Sequence, residues 1–234
     1  MKGHGGHRGI GGAASSRRRA AVTLHDAPGG RSEASRRWLR RQLNDPYVAA
    51  ARESGFRSRA AFKLEQLNQK FRFLKPGLAV VDLGSAPGGW SQVAAQTVGP
   101  SGCVVACDLL PMDPVPHVLF RQGDFTDEAT DVWVREALAG RAVDVVLSDM
   151  APATTGHPSV DHARILTLAE RALAFASATL APGGAFVTKL FQGGGEQAFV
   201  TLLRTHFQTA RYAKPAASRS ESSEVYIVAQ GFRA

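Results

Sequence analysis

The chain reads as α/β, with a doubly wound, mostly parallel sheet of seven strands, on three observations. Short apolar runs alternate with longer helix-like stretches from about residue 78 onward, and such alternation places helices on both faces of a parallel sheet. The first apolar run ends in an acid and a glycine-rich turn, Asp82-Leu83-Gly84-Ser85-Ala86-Pro87-Gly88-Gly89-Trp90, the form in which a parallel strand delivers a ligand to a helix N-terminus. The last two apolar runs are joined too closely for a helical crossover, so the sheet closes with a terminal antiparallel strand.

Taken in order, Ser35 to Gln42 suits a short basic helix, interrupted by Asp45-Pro46-Tyr47. Ser58 stands as an N-cap for a helix through Leu67, with Phe62, Leu64 and Leu67 on its apolar face. Lys75-Pro76-Gly77 is a turn. Strands follow at Leu78–Leu83, Cys103–Cys107, Val118–Arg121, Val143–Leu147 and Ala185–Leu190, then at Thr209–Lys214 and Glu224–Ala229. Helices fall between them at Gly89–Thr97, Glu128–Leu138, His162–Leu180 and Glu196–His206, the third stopped by Ala181-Pro182-Gly183-Gly184.

A chain of 234 residues suits one domain with an extension. Residues 1–33 are rich in glycine, alanine, serine and arginine without apolar periodicity and are expected to be a disordered basic arm; residues 34–234 form the domain. Residues 1–44 hold ten basic and two acidic side chains, which equals the net charge of +8 for the whole chain. The body is therefore neutral overall, and the excess charge sits where it can meet a polyanion through counterion release. No apolar stretch is long enough to span a membrane and no apolar leader opens the chain, so a cytoplasmic protein is expected. Cys103 and Cys107 share one strand face, with no further ligands nearby for a metal, and read as two small buried thiols in a reducing compartment.

Ligands of such sheets lie at the carboxyl ends of the strands. The glycine spacing after Asp82 matches neither a dinucleotide fingerprint nor a P-loop, and an adenosyl group without a pyrophosphate fits it better, which points to S-adenosylmethionine. Asp82 is placed to accept from the amine or hydroxyls of such a ligand. Asp108 ends the second strand, where an acid binds paired ribose hydroxyls. Asp124 follows the third strand and is placed to accept from an adenine amine. Asp149 follows the fourth strand in Ser148-Asp149-Met150-Ala151-Pro152, which lacks the second proline and aromatic that grip a planar nitrogen. Lys189, at the end of the apolar fifth strand, needs a partner because a buried ammonium is costly alone. Glu224, opening the last strand, is one; with Lys63 these residues are placed to converge on one cleft.

Seven ordered motifs resemble the FtsJ-like ribose 2′-O-methyltransferases. They are Ser58–Leu64, Asp82–Trp90, Ala106–Asp113, Gln122–Phe125, Ser148–Pro152, Lys189–Gly193 and Glu224–Ala229, and they span roughly residues 34–232. The resemblance implies a Rossmann-like, class I S-adenosylmethionine-dependent methyltransferase fold in a monomer. It also implies a catalytic set of Lys63, Asp149, Lys189 and Glu224. Cofactor contacts would fall at Gly88, Trp90, Asp108, Asp124 and Asp149. The implied substrate is a uridine ribose in the A-loop of large-subunit ribosomal RNA, within an assembling particle. Another RNA, such as a tRNA or an mRNA cap, and a non-catalytic assembly role stand as alternatives. The arm before residue 34 and the Gly193-Gly194-Gly195 run depart from the family pattern.

In that chemistry a weak nucleophile, the 2′-hydroxyl, loses its proton as it attacks an activated methyl in line. Lys189 then either accepts the proton or, as an ammonium, steers the oxygen and stabilises developing charge. The Arg57, Arg59 and Lys63 segment, with Lys214 and Arg219, is expected to meet RNA phosphates.

Overall fold

A computed structural model describes residues 43–153, 155–193 and 195–233. The chain divides into two units, Met1–Asp45 and Pro46–Ala234, and the second is described below. The expected basic arm and the expected helix at 35–42 lie outside the described residues.

Among the described residues seven strands make one sheet: β1 (Ala79–Leu83), β2 (Cys103–Asp108), β3 (Val118–Gln122), β4 (Val143–Ser148), β5 (Leu180–Phe191), β6 (Phe207–Ala213) and β7 (Glu224–Phe232). Their spatial order is β3-β2-β1-β4-β5-β7-β6. The β1–β2, β1–β4, β2–β3 and β4–β5 pairs are parallel, whereas β7 runs antiparallel to both β5 and β6. The last strand in sequence is thus inserted one place in from the sheet edge. The order reverses between β1 and β4, the switch point at which such sheets hold ligands.

Among the described residues the sheet is accompanied by helices α1 (Pro46–Glu53), α2 (Ala60–Phe71), α3 (Gly89–Val98), α4 (Glu128–Ala137), α5 (Pro158–Thr179) and α6 (Glu196–His206). Strand residues alternate between two cores. Val81, Leu83, Val146, Phe186 and Ile227 pack with α4, α5 and α6, while Val80, Val145, Leu147, Val187 and Tyr226 pack with α2 and α3. All five residues of β1 are buried, which is why its sequence is a continuous apolar run apart from Asp82.

Three local expectations need correction. Ser58 does not cap α2: its Oγ is buried without a hydrogen-bond partner, and a Cβ on Gly89 would stand 2.4 Å from it. The hydroxyl packs against the start of α3 instead of turning back on its own helix. Helix α1 was hidden by Asp45-Pro46-Tyr47, which reads as a break; Pro46 is in fact its first residue, where the missing N–H costs nothing. Finally, Ala181-Pro182-Gly183-Gly184 is not the stop of α5: the helix ends at Thr179, and β5 has already begun at Leu180. Val143 pairs with Leu180 and Val145 with Ala185, so those four residues bulge opposite Asp144 alone.

Candidate active site

A cavity of about 330 Å³ opens at the carboxyl ends of β1 to β4. Gly84 and Ala86 border it after β1, Asp108 to Leu110 after β2, Gly123 to Thr126 after β3, and Asp149 to Ala151 after β4. Glycine is required at two points of the first turn. Gly84 has φ +75°, and a Cβ there would stand 2.3 Å from Met150 Cγ. Gly88 has φ +105°, and a Cβ would approach Met112, Val115 and Arg57 at 3.0 to 3.2 Å.

Asp108 and Asp124 both line the cavity and are both held rigidly. Asp108 accepts from the Ala86 amide through Oδ2 and from the Leu110 amide through Oδ1, each at 2.8 Å. Asp124 Oδ1 accepts from the Thr126 amide at 2.9 Å and its hydroxyl at 2.8 Å. A carboxylate offers about four acceptor positions, so each keeps capacity for a ligand's donors. Leu109, Leu110, Phe125 and Met150 supply apolar wall. Cys107 borders the same space as a neutral thiol, pushed up to about 12 by burial and then by Asp82, Asp108 and Asp124. Cys103 is only half-buried, and both cysteines are free.

Asp82 does not border the cavity. It is fully buried, its Oδ2 accepts from Ser91 Oγ at 2.6 Å on α3, and its Oδ1 has no partner. Burial raises its carboxyl to about 7 despite the Ser91 bond, with Asp149 and Asp108 adding repulsion. A raised acid favours the folded state at low pH. Its contribution falls as pH climbs from the ordinary carboxyl range, near 4, to about 7. The stability of the wild type relative to Asp82→Asn should therefore decline across that window and level off above it. Denaturant melts of both proteins at successive pH values check this; a constant difference would contradict it.

The four charged residues singled out by motif come together. Lys63 Nζ lies 2.7 Å from Glu224 Oε1 and 2.8 Å from Oε2. Lys189 Nζ lies 3.0 Å from Asp149 Oδ1 and donates to the Asp149 carbonyl at 2.5 Å. Tyr226 joins the two pairs: its Oη accepts from Lys63 Nζ at 3.2 Å and donates to Asp149 Oδ1 at 2.7 Å. Ser218 Oγ donates to Glu224 Oε1 at 2.8 Å. Burial pushes the Asp149 carboxyl up, but Lys189, Lys63 and the bonds from Tyr226 and Lys189 outweigh it and hold it below its ordinary value. The Tyr226 phenol is driven far up by burial and by Asp149 and Glu224, so it stays a neutral donor. Asp149 belongs to both the cavity and the charged cluster.

Tyr226 escaped sequence reasoning. Glu224 and Tyr226 are two apart on β7 and so share a face, and Lys189 pairs directly with Tyr226 across β5 and β7. The signal was the Glu-x-Tyr spacing, masked because an aromatic in an apolar strand reads as core.

Neither Gly88 nor Trp90 borders the cavity. Trp90 is buried, donates from Nε1 to the Ala60 carbonyl at 2.9 Å, and packs against Tyr226 with centroids 5.6 Å apart. Gly88 ends the turn that starts α3. The expected phosphate-binding cations are largely committed elsewhere. Arg57 donates to the carbonyls of Pro87, Asp113 and Pro114, and Arg59 to that of Ala217. Lys214 donates to the carbonyls of Ser220 and Ser222, and Lys63 is paired as above. Among the described residues no group of acids, histidines and cysteines could hold a metal, and no helix is long and apolar enough to cross a membrane.

Residues 56–232 match the FtsJ-like methyltransferase family model. A ribosomal RNA large subunit methyltransferase E of Acidiphilium cryptum is 57% identical over 218 residues, covering 93% of this chain and 95% of its own. The protein of that name from Parvibaculum lavamentivorans is 54% identical over 213 residues, covering 87% of this chain and 84% of its own. A solved Plasmodium falciparum structure, described as a ribosomal RNA methyltransferase, superposes with a TM-score of 0.69 at 30% identity, over 76% of this chain and 98% of its own. A family match from Phe56 to Phe232 and relatives above half identity along most of their length lead to one conclusion: the chain belongs to the FtsJ-like methyltransferase family.

Proposed function

We propose that this chain transfers a methyl group from S-adenosylmethionine to the 2′-oxygen of a uridine in the A-loop of large-subunit ribosomal RNA, within the assembling 50S particle. The supporting observation is that Asp149 is shared between the cavity and the Lys63–Glu224–Tyr226–Lys189 cluster. A ligand seated against Asp108 and Asp124 then has its far end beside Lys189. The residues fit the cofactor: two rigid carboxylates suit ribose hydroxyls and an adenine amine, and the apolar wall suits a planar ring. The first-turn amides of α3, from Gly89 and Trp90, lack intrahelical partners and suit a carboxylate. In that sense Gly88 serves the cofactor by forming the left-handed turn that starts α3, and Trp90 by its amide. When bound, the cofactor supplies a methyl already activated on a positive sulfur.

Lys189, paired with Asp149, would hold the 2′-oxygen in line and stabilise the charge that grows on it, the sulfur–methyl bond breaking as the oxygen–methyl bond forms and the 2′-proton passing to solvent water. Asp149 keeps Lys189 aimed and places negative charge near the sulfonium. Tyr226 fixes Asp149, and Lys63 with Glu224 closes the far side of the network. The protein would work as a cytoplasmic monomer, with residues 1–33 an arm on ribosomal RNA and residues 34–234 the methyltransferase domain.

Deleting the gene should remove one 2′-O-methyluridine from large-subunit rRNA, and wild-type protein should restore it. Loss of a mark on another RNA would move the target, and no lost mark would favour an assembly role. With purified protein, Asp108→Ala should weaken S-adenosylmethionine about tenfold or more, since it removes charge-assisted bonds of about 1.5–3 kcal/mol. An unchanged dissociation constant contradicts the cofactor placement.

A further inference from the structure

We infer that Arg57 is a positioning residue for the cofactor cavity, a strut between the loops that follow β1 and β2, rather than a contact to RNA. The inference rests on the reading of the cavity as the S-adenosylmethionine site. Arg57 Nη1 donates to the Pro87 carbonyl at 3.3 Å and the Asp113 carbonyl at 2.5 Å, and Nη2 to the Pro114 carbonyl at 2.5 Å. Pro87 belongs to the turn after β1 that carries Gly84 and Ala86; Asp113 and Pro114 belong to the loop after β2 that carries Asp108, Leu109 and Leu110. One guanidinium therefore ties together the two segments that border the cavity on adjacent strands. The planar fork suits this, because its donors diverge at fixed angles and an ammonium cannot reproduce them.

The strut is itself anchored. The Arg57 amide donates to Gln92 Oε1 at 2.8 Å on α3, and Gln92 Nε2 donates back to the Gly55 carbonyl at 3.1 Å. Arg57 Cδ lies 3.2 Å from where a Cβ on Gly88 would stand, so the glycine leaves the space through which the arginine passes. The same two segments are joined a second time, by the Ala86 amide on Asp108. Asp108 is thus both a proposed ribose acceptor and part of the joint that Arg57 spans. Loosening the joint should disturb cofactor binding before it disturbs the Lys189 cluster, which Arg57 does not touch.

The test compares wild type, Arg57→Gln, Arg57→Lys and Asp108→Ala. S-adenosylmethionine binding is measured by calorimetry, and binding to large-subunit precursor particles is measured across a salt series. Both Arg57 variants should raise the S-adenosylmethionine dissociation constant, and the KM for it, about tenfold, with kcat at saturation within about threefold. Lysine should not rescue. The log–log salt slope of particle binding should be unchanged, whereas losing a phosphate contact would reduce it by about one. Unaltered cofactor binding in both variants, or a reduced slope in Arg57→Gln that Arg57→Lys restores, overturns the inference. If wild type fails to bind S-adenosylmethionine, or Asp108→Ala binds as wild type does, the reading of the cavity fails instead. Arg57→Lys keeps the charge and the stem, so it provides the folded variant if Arg57→Gln does not fold.

Discussion

Lys189→Ala is expected to lower kcat by about a thousandfold or more while leaving S-adenosylmethionine binding within about threefold of wild type. The asymmetry follows from position. Lys189 does not border the cavity; its Nζ reaches the site through Asp149, by 3.0 Å to Oδ1 and 2.5 Å to the carbonyl. Two of its three N–H donors are thereby directed, and the third is available to a nucleophile. Alanine removes the cation that, among the described residues, is paired to Asp149 but keeps the hydrogen bond from Tyr226 and the nearby Lys63, so the carboxylate is not stranded. Lys189→Met fills the same volume without the charge and should fail equally. Equilibrium binding and single-turnover methylation, run on the same preparations, separate the two steps. Turnover within tenfold of wild type would remove Lys189 from the chemistry and leave the cluster a structural one.

How far the sequence foretold this arrangement depends on the kind of residue. Asp108, Asp124 and Asp149 were legible because strand ends are periodic landmarks, and polar residues just past them stand out against apolar runs. Lys189 was legible for the opposite reason: an ammonium inside a buried strand demands a partner. Asp82 misled, because its position after three apolar residues resembles that of a ligand-facing acid. Its side chain instead turns into the α2/α3 core face, toward Ser91, which only the pleat and the packing of α3 determine. Arg57, Arg59 and Lys214 show a second limit of the sequence, which does not reveal their intramolecular partners. Charge close to a cleft in sequence suggests solvent and phosphate, yet Arg57 and Arg59 donate to carbonyls of loops distant in the chain, up to 158 residues away for Arg59, and Lys214 donates to carbonyls six and eight residues on in its own loop. Such bonds depend on tertiary closure of irregular segments, which leave no period to read. Tyr226 shows the converse: its ring is core and its hydroxyl is site, and only the ring is visible as a pattern.

Asp149→Ala should lower kcat by about a hundredfold to a thousandfold. It should also destabilise the fold by about 3–5 kcal/mol, because it strips the carboxylate from a buried ammonium and leaves the Tyr226 phenol without its acceptor. The two losses have different pH signatures. Burial alone would raise the Asp149 carboxyl, but Lys189, Lys63 and the two hydrogen bonds prevail and lower it. A lowered acid stabilises the fold above the ordinary carboxyl range, and that stabilisation is lost as pH falls through the lowered value. The stability gap between wild type and Asp149→Asn should therefore be widest above about pH 5 and narrow toward pH 3. This is opposite in sign to the Asp82→Asn difference, which falls as pH rises toward 7. Asp149 stays ionised throughout the neutral range, so its titration cannot cause any change of rate there. Denaturant melts across pH, beside rate profiles at saturating substrate, resolve the two effects. A stability gap that stays constant from pH 3 to pH 7 would mean that Asp149 does not gain its charge stabilisation from Lys189 and Lys63, and the electrostatic coupling at the centre of the site would have to be abandoned.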